Sequence, residues 1–399
     1  MRIGIFTDSY PPFINGVSTS IKMLEKALTE LGNEVFIVTV NPDNMKLKYE
    51  NNGKIIRLPG IKVGIYDYRV TGAYSVRVIN KIKKWNLDVI HSQTEFGVGT
   101  FARVISKQFN IPIVHTYHTF YEDYIYYITK GYFDKTSKKI VKSLTDFYCD
   151  KTIDELIVPT QKIYDIFKEK YNYDKDINII PTGLEIENFS KENFSNEDIL
   201  NLKEKCNLKN DDIVLLLLGR VAREKNIEFL INCMPNYDNV KLIIIGDGPD
   251  IDYYKKLAEN KNNISFLGKV PYENVPIYYQ LADVFVTSSK SETQGLTVIE
   301  ALASSLPVLA INDESFNKVI KNGVNGYIFN DENEYKEILN KIIVDKSILN
   351  NMKVQARKSS LEYSSSIFAK RVLEVYEKAI EKNNNKTIFS IIKNKFNDE

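Results

Sequence analysis

Long apolar runs are missing from this sequence: no stretch approaches the ~18–20 residues that a membrane-spanning helix needs. The chain is therefore expected to be soluble, or at most to lie on a membrane surface. Cysteine is scarce. The three in 399 residues, Cys149, Cys206 and Cys233, are odd in number and far apart. No zinc-type pair spacing occurs and no disulfide framework is expected, so a reducing cytosol fits best. Met1 leads straight into the strand-like run Arg2-Ile3-Gly4-Ile5-Phe6, and a signal peptide is not expected. Net charge is almost absent, with 53 basic and 52 acidic side chains. That balance argues against wholesale polyanion binding, nucleic acid included, though not against a local basic patch. Internal repeats are missing too. The first strand-to-helix turn, residues 7–17, contains neither G-x-G-x-x-G nor G-x-x-x-x-G-K-S/T. A nicotinamide dehydrogenase and a P-loop ATPase thereby lose their main support.

What is present is alternation. Residues 3–6, 34–38, 88–91, 113–115, 156–158 and 177–180 read as strands, with helical patterns such as 18–31 and 96–109 between them. The pattern restarts with Ile213-Val214-Leu215-Leu216-Leu217-Leu218, an apolar run suited to a strand buried on both faces. Residues 240–245, 264–267, 283–287 and 307–310 follow at parallel-strand spacing. The fold class is α/β, with two doubly wound domains. The divisions are expected at 1–178, 179–364 and a trailing helix and tail, 365–399, whose last residues from 386 onward are expected to fray or dock loosely. Charge divides unevenly. Residues 1–175 hold 25 Lys/Arg and 19 Asp/Glu, a net of +6, and the remainder holds 28 and 33, a net of −5.

Ligands of doubly wound sheets bind at the carboxyl ends of the strands. At the first such end, Asn15-Gly16 precedes a helix. A glycine there lets a ligand approach the backbone and the helix amides, although a capped turn would use the same residues. After strand 213–218 comes Gly219-Arg220-Val221-Ala222-Arg223-Glu224-Lys225. Three cations in six residues suit a diphosphate, with Arg220 gripping oxygens bidentately and Lys225 adding a point charge. The alternative is a solvated basic loop. Further on, Ser291-Glu292-Thr293-Gln294-Gly295-Leu296 leads into a helix that carries Glu300 one turn down. A like-charge contact at 4 Å costs about 4 kcal/mol at an effective dielectric near 20, so neither carboxylate belongs on phosphate. Both are expected to accept hydrogen bonds from ribose or hexose hydroxyls. Cations for a diphosphate and carboxylates for hydroxyls together describe a nucleotide-sugar pocket.

Glu292 and Glu300 form an E-x7-E pattern. With Gly219-Arg220…Lys225, Gly246-Asp247-Gly248-Pro249 and Pro181-Thr182-Gly183-Leu184-Glu185, the chain resembles retaining family 4 glycosyltransferases over nearly its whole length. Within that family it is similar to bacterial 1,2-diacylglycerol 3-glucosyltransferases, through His118-Thr119-Phe120-Tyr121-Glu122-Asp123-Tyr124 and the run from Ser291 to Thr297. The resemblance implies a GT-B fold, two Rossmann-like domains facing across a cleft, with the last helix crossing back to the first domain. It also implies roles. Gly16 would bring its backbone to the donor diphosphate, and Arg220 and Lys225 would neutralise it. Glu300 would hold the ribose. Glu292, with the backbone around Gln294, Gly295 and Leu296, would hold the donor sugar, and His118 would face that sugar. UDP-glucose is the implied donor. Thr182 stands where many members have Asn, so that loop receives no role.

No convincing carboxylate nucleophile appears, and the expected route is same-face attack with the leaving phosphate oxygen taking the acceptor's proton. No cofactor and no metal are expected. The only histidines are His91, His115 and His118, strand-placed and without a companion carboxylate pattern. Asp250-Ile251-Asp252 spells a metal-binding D-x-D, but as first-turn acids of a helix it has a simpler account. Two basic amphipathic stretches point to an anionic membrane surface. One holds Arg77, Lys81 and Lys84 beside Trp85; the other holds Lys135, Lys138, Lys139 and Lys142. Each would equally suit a core-packed helix with a solvated face. Tyr121 and Asp123 are expected near the acceptor entrance. Alternatives are a family 4 enzyme with a glycan, polyprenyl-linked or small soluble acceptor, a non-catalytic nucleotide-sugar-binding protein, and an epimerase.

Overall fold

The computed structural model describes the chain except for residues 14, 63–68, 73, 96, 119–151, 398 and 399. It separates into two units, Met1–Gly183 with Ser365–Glu399, and Leu184–Ser364. The contacts thus divide the chain after Gly183, where the sequence suggested 178.

The first unit is built on an eight-stranded sheet in the order β10-β9-β8-β7-β1-β2-β4-β3. The strands are β1 (Arg2–Phe6), β2 (Glu34–Val40), β3 (Lys48–Glu50), β4 (Ile55–Leu58), β7 (Val89–Ser92), β8 (Ile113–Thr116), β9 (Glu155–Val158) and β10 (Ile177–Ile179). All pairings are parallel except β3 with β4. A separate ribbon pairs β5 (Ile61–Lys62) with β6 (Arg69–Val70). Strand β2 shows why its sequence is apolar almost throughout. Val35 and Ile37 join one buried cluster while Phe36, Val38 and Val40 join the other. Both faces are covered, as a parallel sheet requires. Helices Gly16–Glu30 and Gly97–Phe109 follow β1 and β7. Asn15 caps the former, its side-chain oxygen accepting from Ser18 N at 2.9 Å.

The second unit has a six-stranded, wholly parallel sheet, β13-β12-β11-β14-β15-β16. Its strands are β11 (Ile213–Leu218), β12 (Val240–Ile245), β13 (Ile264–Gly268), β14 (Val284–Thr287), β15 (Val308–Ile311) and β16 (Gly326–Phe329). The apolar run of β11 splits like that of β2: Val214 and Leu216 face one core, Ile213, Leu215 and Leu217 the other. Strand order reverses direction beside β1, between β2 and β7, and beside β11, between β12 and β14. The loops after these strands are where such sheets bind ligands.

Several expectations change. The final helix runs on into the stretch expected to fray: its backbone is helical from Ser365 to Asn397. Its first half packs on the first sheet, with Phe368, Ala369, Val372, Val375, Tyr376 and Ala379 buried beside Ile3 and Ile5. Buried Glu155 at the start of β9 binds Lys382 at 2.6 Å and Lys378 at 3.3 Å on that helix. Strands β3, β4, β5, β6 and β16 were not anticipated. Trp85, grouped with a membrane-facing stripe, is instead 4% exposed and stacks on Phe36 with ring centroids 4.9 Å apart. Val78 and Ile82 of the helix Val76–Lys83 are buried in the same core. That apolar face is spent on packing, leaving exposed Arg77 and Lys84 and half-buried Lys81 as the remaining charged side. Tyr121, Asp123, Lys135, Lys138, Lys139 and Lys142 lie outside the described residues.

Candidate active site

In the second unit the loops after β11 and β14 are neighbours because their strands are paired. Ser288 Oγ donates to the carbonyls of Lys225 and Asn226 at 3.2 and 2.7 Å, stitching the loops together. The result is a direct ion pair: Lys225 Nζ lies 2.5 Å from Glu292 Oε1, with about a quarter or less of either side chain exposed. Sequence reasoning gave these residues separate tasks, one on diphosphate and one on sugar. The structure brings them together, so Glu292 aims the Lys225 ammonium as well as offering acceptors.

The other two loop cations are also paired. Arg220 lies 3.2 Å from Glu224, and Arg223 lies 3.6 Å from Asp250, whose other carboxylate oxygen accepts from Arg223 N at 3.0 Å. Asp250 of the D-x-D thus holds the cationic loop against the turn after β12. That turn requires glycine. At Gly246 φ is +134°, and a Cβ would lie 1.8 Å from the Gly219 carbonyl oxygen.

Gly295 precedes the helix Leu296–Ala303 in the left-handed region, φ 74°, and a side chain there would strike Phe316. Gln294 is buried, 5% exposed, and Leu296 is half-buried at the first turn. Glu300, also 5% exposed, accepts a hydrogen bond from Tyr279 Oη at 2.8 Å. Burial pushes its carboxyl up to about 7, the Tyr279 bond opposing. Glu300 therefore changes charge near neutrality. Tyr279 carries no motif by which the sequence could have revealed it.

In the first unit Gly16 is exposed at the start of the helix after β1. His118 follows β8, half-buried, its Nε2 2.5 Å from Gln93 Oε1. Burial lowers its pKa to about 4, so it is neutral near pH 7. His91 contacts Tyr376 Oη at 2.6 Å and Thr116 Oγ1 at 2.7 Å. His115 Nε2 lies 3.2 Å from Glu95 Oε1, a companion carboxylate the sequence reading did not find because it sits on another strand's loop. Among the described residues no three His, Cys, Asp or Glu converge as a metal-binding set. Asp8, at the end of β1, is pushed up to about 6 by burial and accepts from Thr94 Oγ1 at 2.6 Å and Val98 N at 2.9 Å.

Comparison with known proteins decides the family. The Glycosyltransferase Family 4 model matches residues 14–188, and the Glycosyl transferases group 1 model matches residues 198–359. The chain is 37% identical over 399 residues to an alpha-monoglucosyldiacylglycerol synthase of Acholeplasma laidlawii, covering 97% of this chain and 99% of that protein. The chain belongs to the family 4 glycosyltransferases. A second alpha-monoglucosyldiacylglycerol synthase, from Streptococcus pneumoniae, is 33% identical over 96% of this chain and 87% of its own. Among solved structures, the sucrose-phosphate synthase of Thermosynechococcus elongatus superposes with a TM-score of 0.72 at 18% identity, over 95% of this chain and 99% of that one. HepE of Anabaena, in complex with UDP and glucose, gives 0.70 at 16% identity, over 94% and 99%. These glycosyltransferase likenesses establish the GT-B fold. With its two Rossmann-like parallel sheets, this family 4 glycosyltransferase has the expected α/β class.

Proposed function

We propose that this glycosyltransferase moves glucose from UDP-glucose to the free hydroxyl of 1,2-diacylglycerol at a membrane surface, giving an alpha-monoglucosyl diacylglycerol. The observation that carries the reading is the near full-length identity to two alpha-monoglucosyldiacylglycerol synthases. The donor-side geometry supports it. Arg220 and Lys225 neutralise the diphosphate, and Glu292 holds Lys225 while accepting from the hexose. Glu300 takes the ribose, and amides at Gln294, Gly295 and Leu296 take the sugar or phosphate. In the first unit Gly16 meets the diphosphate by its backbone, and His118 meets the sugar.

In the reaction the anomeric C–O bond to the diphosphate breaks and the acceptor oxygen bonds the same carbon. The acceptor's proton passes to the departing diphosphate oxygen. Same-face attack retains the anomeric configuration without a covalent intermediate. Negative charge grows on the diphosphate, so preorganised cations and amides supply the largest contribution. Trapping a sugar on a carboxylate of this chain would contradict this route. The two cations are proposed to serve without a divalent ion; complete loss of turnover in chelator, restored by Mg²⁺, would refute that.

Among the described residues no helix is long and apolar enough to cross a membrane. The acceptor is a lipid, so the first domain is proposed to touch the bilayer's inner face peripherally. Arg77, Lys81 and Lys84 would contribute, together with Lys135, Lys138, Lys139 and Lys142, and Tyr121 and Asp123 would line the acceptor entrance. Each cation near anionic lipid is worth about 1 kcal/mol. The deciding experiment incubates the protein with a panel of nucleotide sugars and mixed diacylglycerol/anionic-lipid vesicles. Formation of an alpha-glucosyl diacylglycerol from UDP-glucose supports the reading. Transfer only to a glycan or soluble acceptor, or UDP binding without turnover, overturns it.

A further inference from the structure

We propose that Gln93 is a positioning residue for His118, fixing that ring as the Nε2–H tautomer so that Nδ1 is its hydrogen-bond acceptor. Gln93 follows β7 and is 3% exposed, and its backbone N donates to Phe6 O at 2.8 Å. Its side-chain oxygen is 2.5 Å from His118 Nε2. An amide oxygen only accepts, so the ring nitrogen facing it carries the hydrogen. A neutral imidazole has one N–H, so the lone pair then lies on Nδ1.

The amide is held from behind. Its nitrogen lies 3.0 and 3.1 Å from the two ring nitrogens of His91. Burial keeps His91 neutral, and its two ring nitrogens are bonded to Tyr376 Oη and Thr116 Oγ1, so the amide nitrogen packs against the ring rather than meeting one lone pair. His91 is itself pinned by Thr116 and by Tyr376 of the final helix. The chain Tyr376–His91–Gln93–His118 thus ties the orientation of half-buried His118 to a helix distant in sequence. Among the described residues, the ionisable groups acting on His118 are Glu95 and His115, with His91 behind Gln93.

The consequence deepens the proposed function and rests on its placement of His118 at the donor sugar. Presented this way, His118 accepts from a sugar hydroxyl and orients it; it does not donate a proton to the leaving group. A tautomer change would turn an acceptor into a donor at the same atom.

Three histidines in the whole chain make the test direct. Long-range ¹⁵N–¹H spectra of histidine-labelled protein, assigned with His118→Ala, are expected to show His118 as Nε2–H, and Gln93→Leu to give a tautomer mixture. Nδ1–H at His118 in the wild type would overturn the proposal whatever the enzyme's activity. Kinetically, Gln93→Leu is expected to lower kcat about tenfold with donor KM nearly unchanged, the scale of a modest misorientation. Gln93→Glu keeps the acceptor but favours the charged ring. It should lose activity near neutrality and regain it at alkaline pH. Wild-type kinetics and pH profiles in both variants, alongside an inactive His118→Ala, would sink the role of Gln93. A fully active His118→Ala would instead sink the placement of His118.

Discussion

Replacing Glu300 by Gln is expected to stabilise the second unit at alkaline pH while impairing donor use. Glu300 is 5% exposed, and its hydrogen bond from Tyr279 only partly offsets the loss of water. Its carboxyl rises from an ordinary 4.5 to about 7. The folded chain therefore binds that proton more tightly than the unfolded chain. The stability this contributes is complete below about pH 4.5 and is lost as pH rises through about 7. Spread over that window, the loss amounts to about 3 kcal/mol. Gln is neutral at every pH, and its carbonyl still accepts from Tyr279. Glu300→Gln should match the wild type near pH 4.5 and exceed it at pH 8. In a unit of this size a gain of about 3 kcal/mol corresponds to roughly 6–10 °C in Tm. Donor affinity moves the other way. An ionised carboxylate accepting from ribose hydroxyls is worth about 1.5–3 kcal/mol, so kcat/KM should fall about 10–100-fold. Wild-type donor affinity should also improve with pH through 7. The assays are thermal unfolding at pH 4.5 and 8 and donor kinetics across that range. A variant less stable than wild type at pH 8, or a difference independent of pH, would refute the reasoning.

Lys225→Met is expected to reduce kcat/KM about 10²–10³-fold, and Glu292→Gln to reduce it less. Because the two side chains form one ion pair, the double variant should be less impaired than the product of the singles; strict multiplicativity in a double-mutant cycle would show that the pair does not act as a unit. Gly246→Ala should destabilise the second unit by about 2 kcal/mol or more, since both the positive φ and the Gly219 carbonyl oppose a Cβ; urea unfolding reads this, and an unchanged midpoint would contradict it. Glu155→Gln should loosen the final helix by about 1–3 kcal/mol by removing the shared partner of Lys378 and Lys382, seen as faster proteolysis within residues 365–397.

Local pattern carried much of this protein. The apolar runs at 213–218 and 240–245 announced strands covered on both faces, because a parallel strand has no polar side to reveal. The glycines and cations after β11, and the spaced glutamates after β14, were legible as candidate site residues because strand ends and helix starts place a few consecutive residues together. Short or less uniform strands escaped: β3 has three residues, and β16 contains a glycine at its edge position. Their pairing comes from neighbours rather than from periodicity.

Partnership across the chain belonged to the tertiary structure alone. Lys225 meets Glu292 because β11 and β14 are adjacent, and nothing in the sequence between them, a separation of 67 positions, encodes that meeting. Tyr279 donates to buried Glu300 from a different helix, partly offsetting the effect of that burial. Gln93 reaches His118, and Tyr376 reaches His91 over 285 positions, because the final helix returns to the first sheet. Trp85 shows the same division from the other side. Its heptad-like company with lysines is legible as an amphipathic helix, but only packing decides whether the apolar face meets lipid or protein, and here it meets Phe36. Sequence pattern reports which surfaces must leave water, since that follows from composition and period; which surface receives them depends on chain topology.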